Sequence, residues 1–239
     1  MKIRWEHIKI LFSLSLVIFL FSFSSKRNSS KNITGKEIVF LDNLPRFIGL
    51  DAVNKLLIQN ESDTSSIAKE TLDLNEMEKR LSENPMIAQA EVFMTIDGVL
   101  KAHIRQRKPV ARIASSATFY IDDTGTEMPL SGLYSARVPL VTGEAEGNFE
   151  PLSRLLATIE KDPVLRQQII GIHIESEQDF YLLPRVYNYK IAIGEVENLD
   201  QKFKNYKAFY QKTIKDSTIT NYSQINLKFD KQVVATKKQ

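Results

Sequence analysis

Three short clusters in the 239-residue chain hold residue types that can do chemistry. Ser66-Ile67-Ala68-Lys69 fits S-x-x-K, a pattern in which a lysine activates a serine nucleophile. No K-T-G segment accompanies it, and it lies in a polar stretch, residues 59–71, that reads as a loop. Asp122-Asp123 sets two carboxylates side by side, as a metal or acid–base pair would need. Consecutive strand residues point to opposite faces, and an aspartate before Thr124-Gly125 is a turn-former, so a turn is the better reading. His103 and His173 each alternate within strand-like runs, which predicts half-exposed surface histidines rather than ligands. The basic run Arg105-Gln106-Arg107-Lys108 has no interleaved aromatic on which a base could stack, and reads as a solvated strand end. No cysteine is present, which removes thiolate zinc sites, iron–sulfur clusters and a cysteine nucleophile. The nine glycines are scattered singly, so no phosphate-cradling loop exists. The residues give no positive support for catalysis, a metal or a cofactor, and no small-molecule substrate is expected.

Binding is better supported, at the C-terminus. Ile225, Leu227 and Phe229 alternate with Asn226, Lys228 and Asp230, which predicts a strand with one face on a core. The next run, Gln232-Val233-Val234-Ala235-Thr236, has high β-propensity and is followed by three residues only. A turn near Asp230-Lys231 would join the two strands. As the last strand of the chain, 232–236 is expected at a sheet edge. A partner segment can add there as a further strand, through main-chain bonds. The candidate contacts are Tyr222, the backbone of Phe229, Asp230, Lys231, Gln232, Val233, Val234, Ala235 and Thr236, and Lys228 as a charge contact. The alternative is an edge merely blunted by Lys237 and Lys238.

The charge is unevenly spread. The formal net charge is +3, but six bases (Lys2, Arg4, Lys9, Lys26, Arg27, Lys31) and one acid (Glu6) lie in the first 31 residues. The rest is about −2, which speaks against a nucleic-acid partner that needs a basic body. From Ile10 through Ser25 no residue is charged, and residues 10–23 hold eleven apolar positions out of fourteen. Sixteen residues make roughly 24 Å of helix, a little under a ~30 Å hydrocarbon core, with Trp5, Lys9, Lys26 and Arg27 placed to reach the interfaces. Ser22-Phe23-Ser24 is a poor cleavage site, so an uncleaved anchor is favoured over a removed signal peptide. The nine-residue leading tail favours an N-terminus inside the cell, and 26–36 reads as a polar linker.

The elements that must position the C-terminal edge fall into two groups. The first is a strand at 37–41, a helix at 51–58, a second helix carrying Leu74, Met77 and Leu81, and a hairpin of 87–96 and 99–107 turning at Asp97-Gly98. The second has strand-like runs at 110–114, 118–122, 138–142, 170–175, 179–184, 188–193, 223–229 and 232–236, with helices at 149–160 and 198–214. Lysines 202, 204, 207, 212 and 215 surround the apolar stripe of the second helix as its solvated face. The fold class is α+β, with the second group mostly antiparallel.

In that frame the chain resembles the bacterial cell-division family FtsQ/DivIB. Ile104-Arg105-Gln106-Arg107-Lys108-Pro109-Val110-Ala111 resembles the family's I-x-E-R-x-P-x-A junction, with Gln106 in place of the acid. Phe119-Tyr120-Ile121-Asp122-Asp123-Thr124-Gly125 resembles its Y-L-I-D-x-x-G hairpin, and Val138-Pro139-Leu140-Val141-Thr142-Gly143 its L-P-x-L-x-G strand. Ile193-Gly194 leads into a lysine-rich helix as in the family, and Ile225-Asn226-Leu227-Lys228-Phe229 resembles I-D-L-R-Y. The resemblance implies a tail at 1–9, one transmembrane helix at 10–25, a linker at 26–36, a POTRA domain of β-α-α-β-β order at 37–108, a β-rich domain at 109–236 and a tail at 237–239. It implies a non-enzymatic scaffold of the divisome in the cytoplasmic membrane, placed at midcell with its bulk outside the cytoplasm. It also implies that the C-terminal strands hold small partners of the FtsB and FtsL type. Two other readings compete: a POTRA-bearing outer-membrane transport or insertase accessory, and a membrane-anchored cell-wall enzyme. The first would normally add repeated units or a long barrel, and the second a nucleophile or a metal.

Overall fold

A computed structural model describes residues 5–29, 33–58, 72–145, 147–176, 179–229 and 232–239. The S-x-x-K segment and the Asp230-Lys231 turn lie outside them. The chain divides into two units, Met1–Gln106 and Arg107–Gln239, and each has its own apolar core.

The first unit opens with helix α1, Trp5–Ser29. It runs on through residues expected in the linker, which contain no glycine or proline to stop it before Ser29. The described side chains from Leu11 to Phe23 are all exposed, and they cover about 20 Å of helix axis. Among the described residues no helix is long and apolar enough to cross a membrane.

The expected β-α-α-β-β order follows: β1 Gly35–Phe40, α2 Leu50–Leu57, α3 Leu74–Ser82, β2 Ile87–Met94 and β3 Val99–Gln106. Asp73 caps α3 by accepting a hydrogen bond from the Glu76 amide at 3.0 Å. Gly98, at φ +86°, makes the tight β2–β3 hairpin. The two helices between β1 and the hairpin return the chain so that β1 lies parallel to β3, in the order β1-β3-β2. Val53, Leu57, Met77 and Leu81 from the helices meet Ala90, Val92, Leu100, Ala102 and Ile104 from the sheet in one core.

The second unit is one nine-stranded sheet with helices on one face. Its strands are β4 Pro109–Ala114, β5 Thr118–Asp122, β6 Glu127–Met128, β7 Leu140–Gly143, β8 Ile169–Ser176, β9 Asp179–Pro184, β10 Lys190–Gly194, β11 Tyr222–Asn226 and β12 Val234–Lys237. Helices α4 Phe149–Lys161, α5 Pro163–Gln168 and α6 Leu199–Lys215 connect them. The spatial order is β12-β11-β10-β9-β8-β7-β4-β5-β6. The sheet is mostly antiparallel, as expected, but β7 lies parallel to β4 and to β8, and β11 parallel to β10. Helices α4 and α5 span the step from β7 to β8, and α6 the step from β10 to β11; such crossovers produce parallel neighbours where a hairpin cannot. Inward residues Ile113, Val141, Ile172, Ile174, Phe180, Leu182, Ile191 and Ile225 pack against Leu152, Leu155, Ile159, Phe203 and Tyr206 of the helices.

Several readings change. Helix α5 was not expected: it has six residues and a single buried apolar side chain, Leu165, too few to show a period, although Asp162 caps it and Pro163 starts it. The strand expected over 223–229 ends at Asn226; Leu227 is still buried, but Phe229 is 49% exposed rather than on the core. Gln106 is not a solvated strand end but 3% exposed, and Arg107 pairs with Asp122 at 2.8 Å. Lys202 is buried, so it does not belong to the solvated face of α6.

Candidate partner-binding edge

Strand β12 is the outermost strand at one end of the nine-stranded sheet. It pairs antiparallel with β11 at Tyr222↔Lys237, Gln224↔Thr236, Ile225↔Ala235 and Asn226↔Val234, with a bulge between Tyr222 and Gln224. The Lys238 amide donates to the Asn221 carbonyl at 2.8 Å. Backbone groups alternate sides with period two along a strand, so Thr236 and Val234 also turn theirs toward β11. The N–H and C=O groups of Ala235 and the N–H of Lys237 therefore turn to the unpaired side, where an added strand would bond, whereas the Lys237 carbonyl accepts from the Ser223 hydroxyl of β11 at 3.4 Å. Directly opposed residues share a face. Ala235 thus lies with Ile225 on the helix side of the sheet, and Val234 and Thr236 with Asn226 and Gln224 on the open side.

The edge is held firmly from within. Ser223 donates its hydroxyl to the Thr236 carbonyl at 3.2 Å, and the Tyr222 ring meets Phe209 of α6 edge-on at 5.5 Å. Val233 packs on the core, Gln232 is exposed, and Val234 is 41% exposed. Asp230 and Lys231 fall outside the described residues. Lys228 is no free charge: it is ion-paired with Asp179 and lies 6.0 Å from the centre of the Tyr181 ring. The Asp179 carboxylate holds the Lys228 ammonium above its ordinary pKa. Its aliphatic stem crosses Gly194, where any Cβ would come within 2.9 Å of it. The predicted contacts thus separate: Val234, Ala235 and Thr236 form the edge itself, Tyr222 and Val233 anchor it, and Lys228 is committed to the open face beside it.

That open face carries a row that register places side by side: Thr142, His173, Tyr181, Ala192, Asn226 and Val234. Thr142 Oγ1 and His173 Nδ1 share a hydrogen bond of 2.9 Å. Lys190 stands 5.9 Å from the Tyr181 ring centre, so two ammonium groups flank one aromatic. Burial, with the nearby Asp179 and Glu175 carboxylates, raises the Tyr181 pKa.

The residues weighed for chemistry are dispersed. His103 makes an edge contact with Phe93 in the first unit, while His173 belongs to the second. Asp122, 2% exposed, holds the 123–126 turn by accepting from the amides of Thr124 and Thr126 at 2.9 and 2.8 Å and from the Thr124 hydroxyl at 2.7 Å. Burial alone would raise its pKa, but the Thr124 hydroxyl, Arg107 and these amides outweigh burial and hold it below the carboxylate range. Among the described residues no three or more His, Cys, Asp or Glu side chains gather as a metal would require.

Residues 108–236 match the family model described as FtsQ/DivIB, C-terminal related. The chain belongs to that family. No curated protein matches the chain. Members of FtsQ/DivIB are non-enzymatic division proteins, and membership suggests a role in cell division. The matched region holds β12 and its neighbours, and the structure gives the family-like residues their reasons. Gly143, at φ +87°, sits where a Cβ would come 2.0 Å from the Ile174 carbonyl oxygen. Lys202 was missed as a structural residue: its ammonium donates to the carbonyls of Ile193 and Glu195 at 3.0 and 2.8 Å, closing the end of β10. The spacing from Ile193-Gly194 to a lysine one turn into the following helix was the available signal.

Proposed function

We propose that the chain is a non-enzymatic scaffold of the bacterial division machinery, whose second unit holds a partner segment by strand addition to β12. The partners are of the FtsB and FtsL type. The uncharged run at 10–25, whose described side chains from Leu11 to Phe23 are all exposed, is the part of the chain suited to contact lipid, and in this reading it anchors the chain in the cytoplasmic membrane, with the two units on its outer side and the protein at midcell. The first unit, with its β-α-α-β-β order, acts as a POTRA domain that recruits the chain to the division site.

The observation that carries this reading is the edge geometry. Strand β12 ends the sheet, its inner side is engaged with β11, and both backbone groups of Ala235 and the amide of Lys237 turn to the free side. Main-chain bonds to those groups would give affinity, and Val234 and Thr236 would give side-chain specificity. Exposed apolar groups, Val234 and Phe229, lie close to that edge in sequence, and shielding them contributes roughly 25 cal/mol per Å2 removed from water.

The test is co-purification of the full chain with its FtsB-type partner, comparing A235P with T236P. Proline at 235 removes a donor from the free side only, so the chain stays folded and loses the partner. Proline at 236 removes a donor to β11 and destabilises the chain as well. A folded A235P chain that retains the partner at full affinity contradicts strand addition.

A further inference from the structure

Far from β12, the second unit carries a cleft of about 460 Å3 at the end of the sheet where the parallel strands β4, β7 and β8 begin. Strand β8 lies four inter-strand steps from β12, so the cleft is roughly 19 Å from the edge just described. Its floor is apolar: Val110, Leu156, Ile159 and Ile170, the last 42% exposed. Its rim is cationic, with Lys108, Arg137, Arg166 and Arg185 against a single acid, Glu160. This is a local charge of +3 on a body whose net charge is about −2.

The rim is half filled by the chain itself. Glu160 pairs with Lys108 at 3.0 Å and with Arg166 at 3.9 Å. One carboxylate therefore already occupies the notch between two of the cations. The other half has no such group. Arg137 has no carboxylate partner among the described residues, and Arg185 uses only its Nε, which donates to the Gln167 carbonyl at 3.1 Å. That bond fixes the plane of the guanidinium and leaves both terminal nitrogens to bind, the fork geometry suited to a carboxylate.

We infer that this cleft is a second docking site, for an acidic segment of a partner polypeptide. The segment lays an apolar side chain on the floor and sets its carboxylates against Arg137 and Arg185. The charge complementarity selects the occupant: an apolar ligand would leave the rim unpaired, and a basic one would be repelled. The site is independent of β12 and would let one chain hold two partner segments at once.

The test uses the full chain and a displayed library of random peptides about a dozen residues long. Selection should enrich Asp and Glu together with one or two large apolar residues. Against R137Q/R185Q, the selected peptides should bind at least about tenfold more weakly. Against E160Q they should bind a few-fold more tightly, because Lys108 and Arg166 are released; a misfolded chain cannot produce that gain. Binding should be unchanged in A235P, which separates this site from the edge. Enrichment without acids, peptides equally tight when Gln replaces every acid, or affinities unmoved by both variants overturn the proposal. So does a cleft that selects no peptide but binds phosphatidylglycerol vesicles in an Arg137- and Arg185-dependent way, since the occupant would then be a lipid surface.

Discussion

Gln106 and Asp42 are joined by two hydrogen bonds that close the first unit at its C-terminal end. The Gln106 amide donates to Asp42 Oδ2 at 2.8 Å, and its side-chain Nε2 donates to Oδ1 at 3.1 Å. The side-chain oxygen of Gln106 accepts from the Phe47 amide at 2.8 Å, so both ends of the buried amide are satisfied. The residue that departs from the family-like acid is therefore the one that suits this site. A glutamate here would set a second carboxylate against Asp42.

Q106E should accordingly lower the stability of the first unit by about 2–4 kcal/mol at neutral pH, through a lost donor and a buried like-charge pair. Thermal unfolding followed by circular dichroism measures it. A melting temperature equal to that of the unsubstituted chain would refute the account of this substitution.

Lys202 closes the end of β10 from inside α6, so K202M should leave the Ile193 and Glu195 carbonyls without their donor. The expected loss is about 2–3 kcal/mol, more than for a surface lysine on the same helix such as Lys204. Urea unfolding of K202M beside K204M makes the comparison. Equal losses would mean that the buried ammonium is dispensable.

Alkali should destabilise the second unit through a tyrosine pair. The hydroxyls of Tyr189 and Tyr206 are 2.9 Å apart in the core beside α6. Burial pushes Tyr189 up to about 12 and Tyr206 higher still. A pKa raised in the folded state contributes stability that is complete below the unfolded value, about 10, and is lost as pH rises through about 12. Stability should fall across that window, and in Y189F/Y206F the fall should be shallower. Denaturant titrations at pH 9, 10 and 11 measure it; identical slopes for both proteins would contradict the assignment.

Asp162 has two jobs that substitution can separate. It caps α5 by accepting from the amides of Val164 and Leu165 at 2.9 and 3.2 Å, and it pairs with Lys207 of α6 at 2.5 Å. Lys207 holds the Asp162 carboxyl below its ordinary value, so this contribution is present above about pH 4 and is lost as pH falls further. D162N should keep the cap and lose the pair, whereas D162A loses both, at a further cost of about 1 kcal/mol. Matching stabilities for the two variants would remove the cap from the account.

What was legible in the sequence was what has a period or a strong local signal. The alternation of Leu100, Ala102 and Ile104 appears as a strand with those three side chains buried, and the Asp97-Gly98 turn appears as a hairpin. The position of β12 at an edge was legible from chain order alone. Strand neighbours were less so, because parallel pairing of β10 with β11 depends on where α6 returns the chain, and no local pattern records that. At the site, Lys202 was misread and the ion-pair partner of Lys228 was not visible, for one reason. A lysine on a polar pattern looks solvated, and only tertiary structure shows that its ammonium meets Asp179 or two strand-end carbonyls.

The central claim, strand addition at β12, is tested most directly by amide hydrogen exchange, residue by residue, in the full chain with and without its FtsB-type partner. Two amides, those of Ala235 and Lys237, turn to the free side, while those of Val234 and Thr236 are already engaged with β11. The account predicts that binding slows exchange at 235 and 237 by at least about tenfold and changes 234 and 236 far less. Saturating partner with no added protection at 235 and 237 would contradict it.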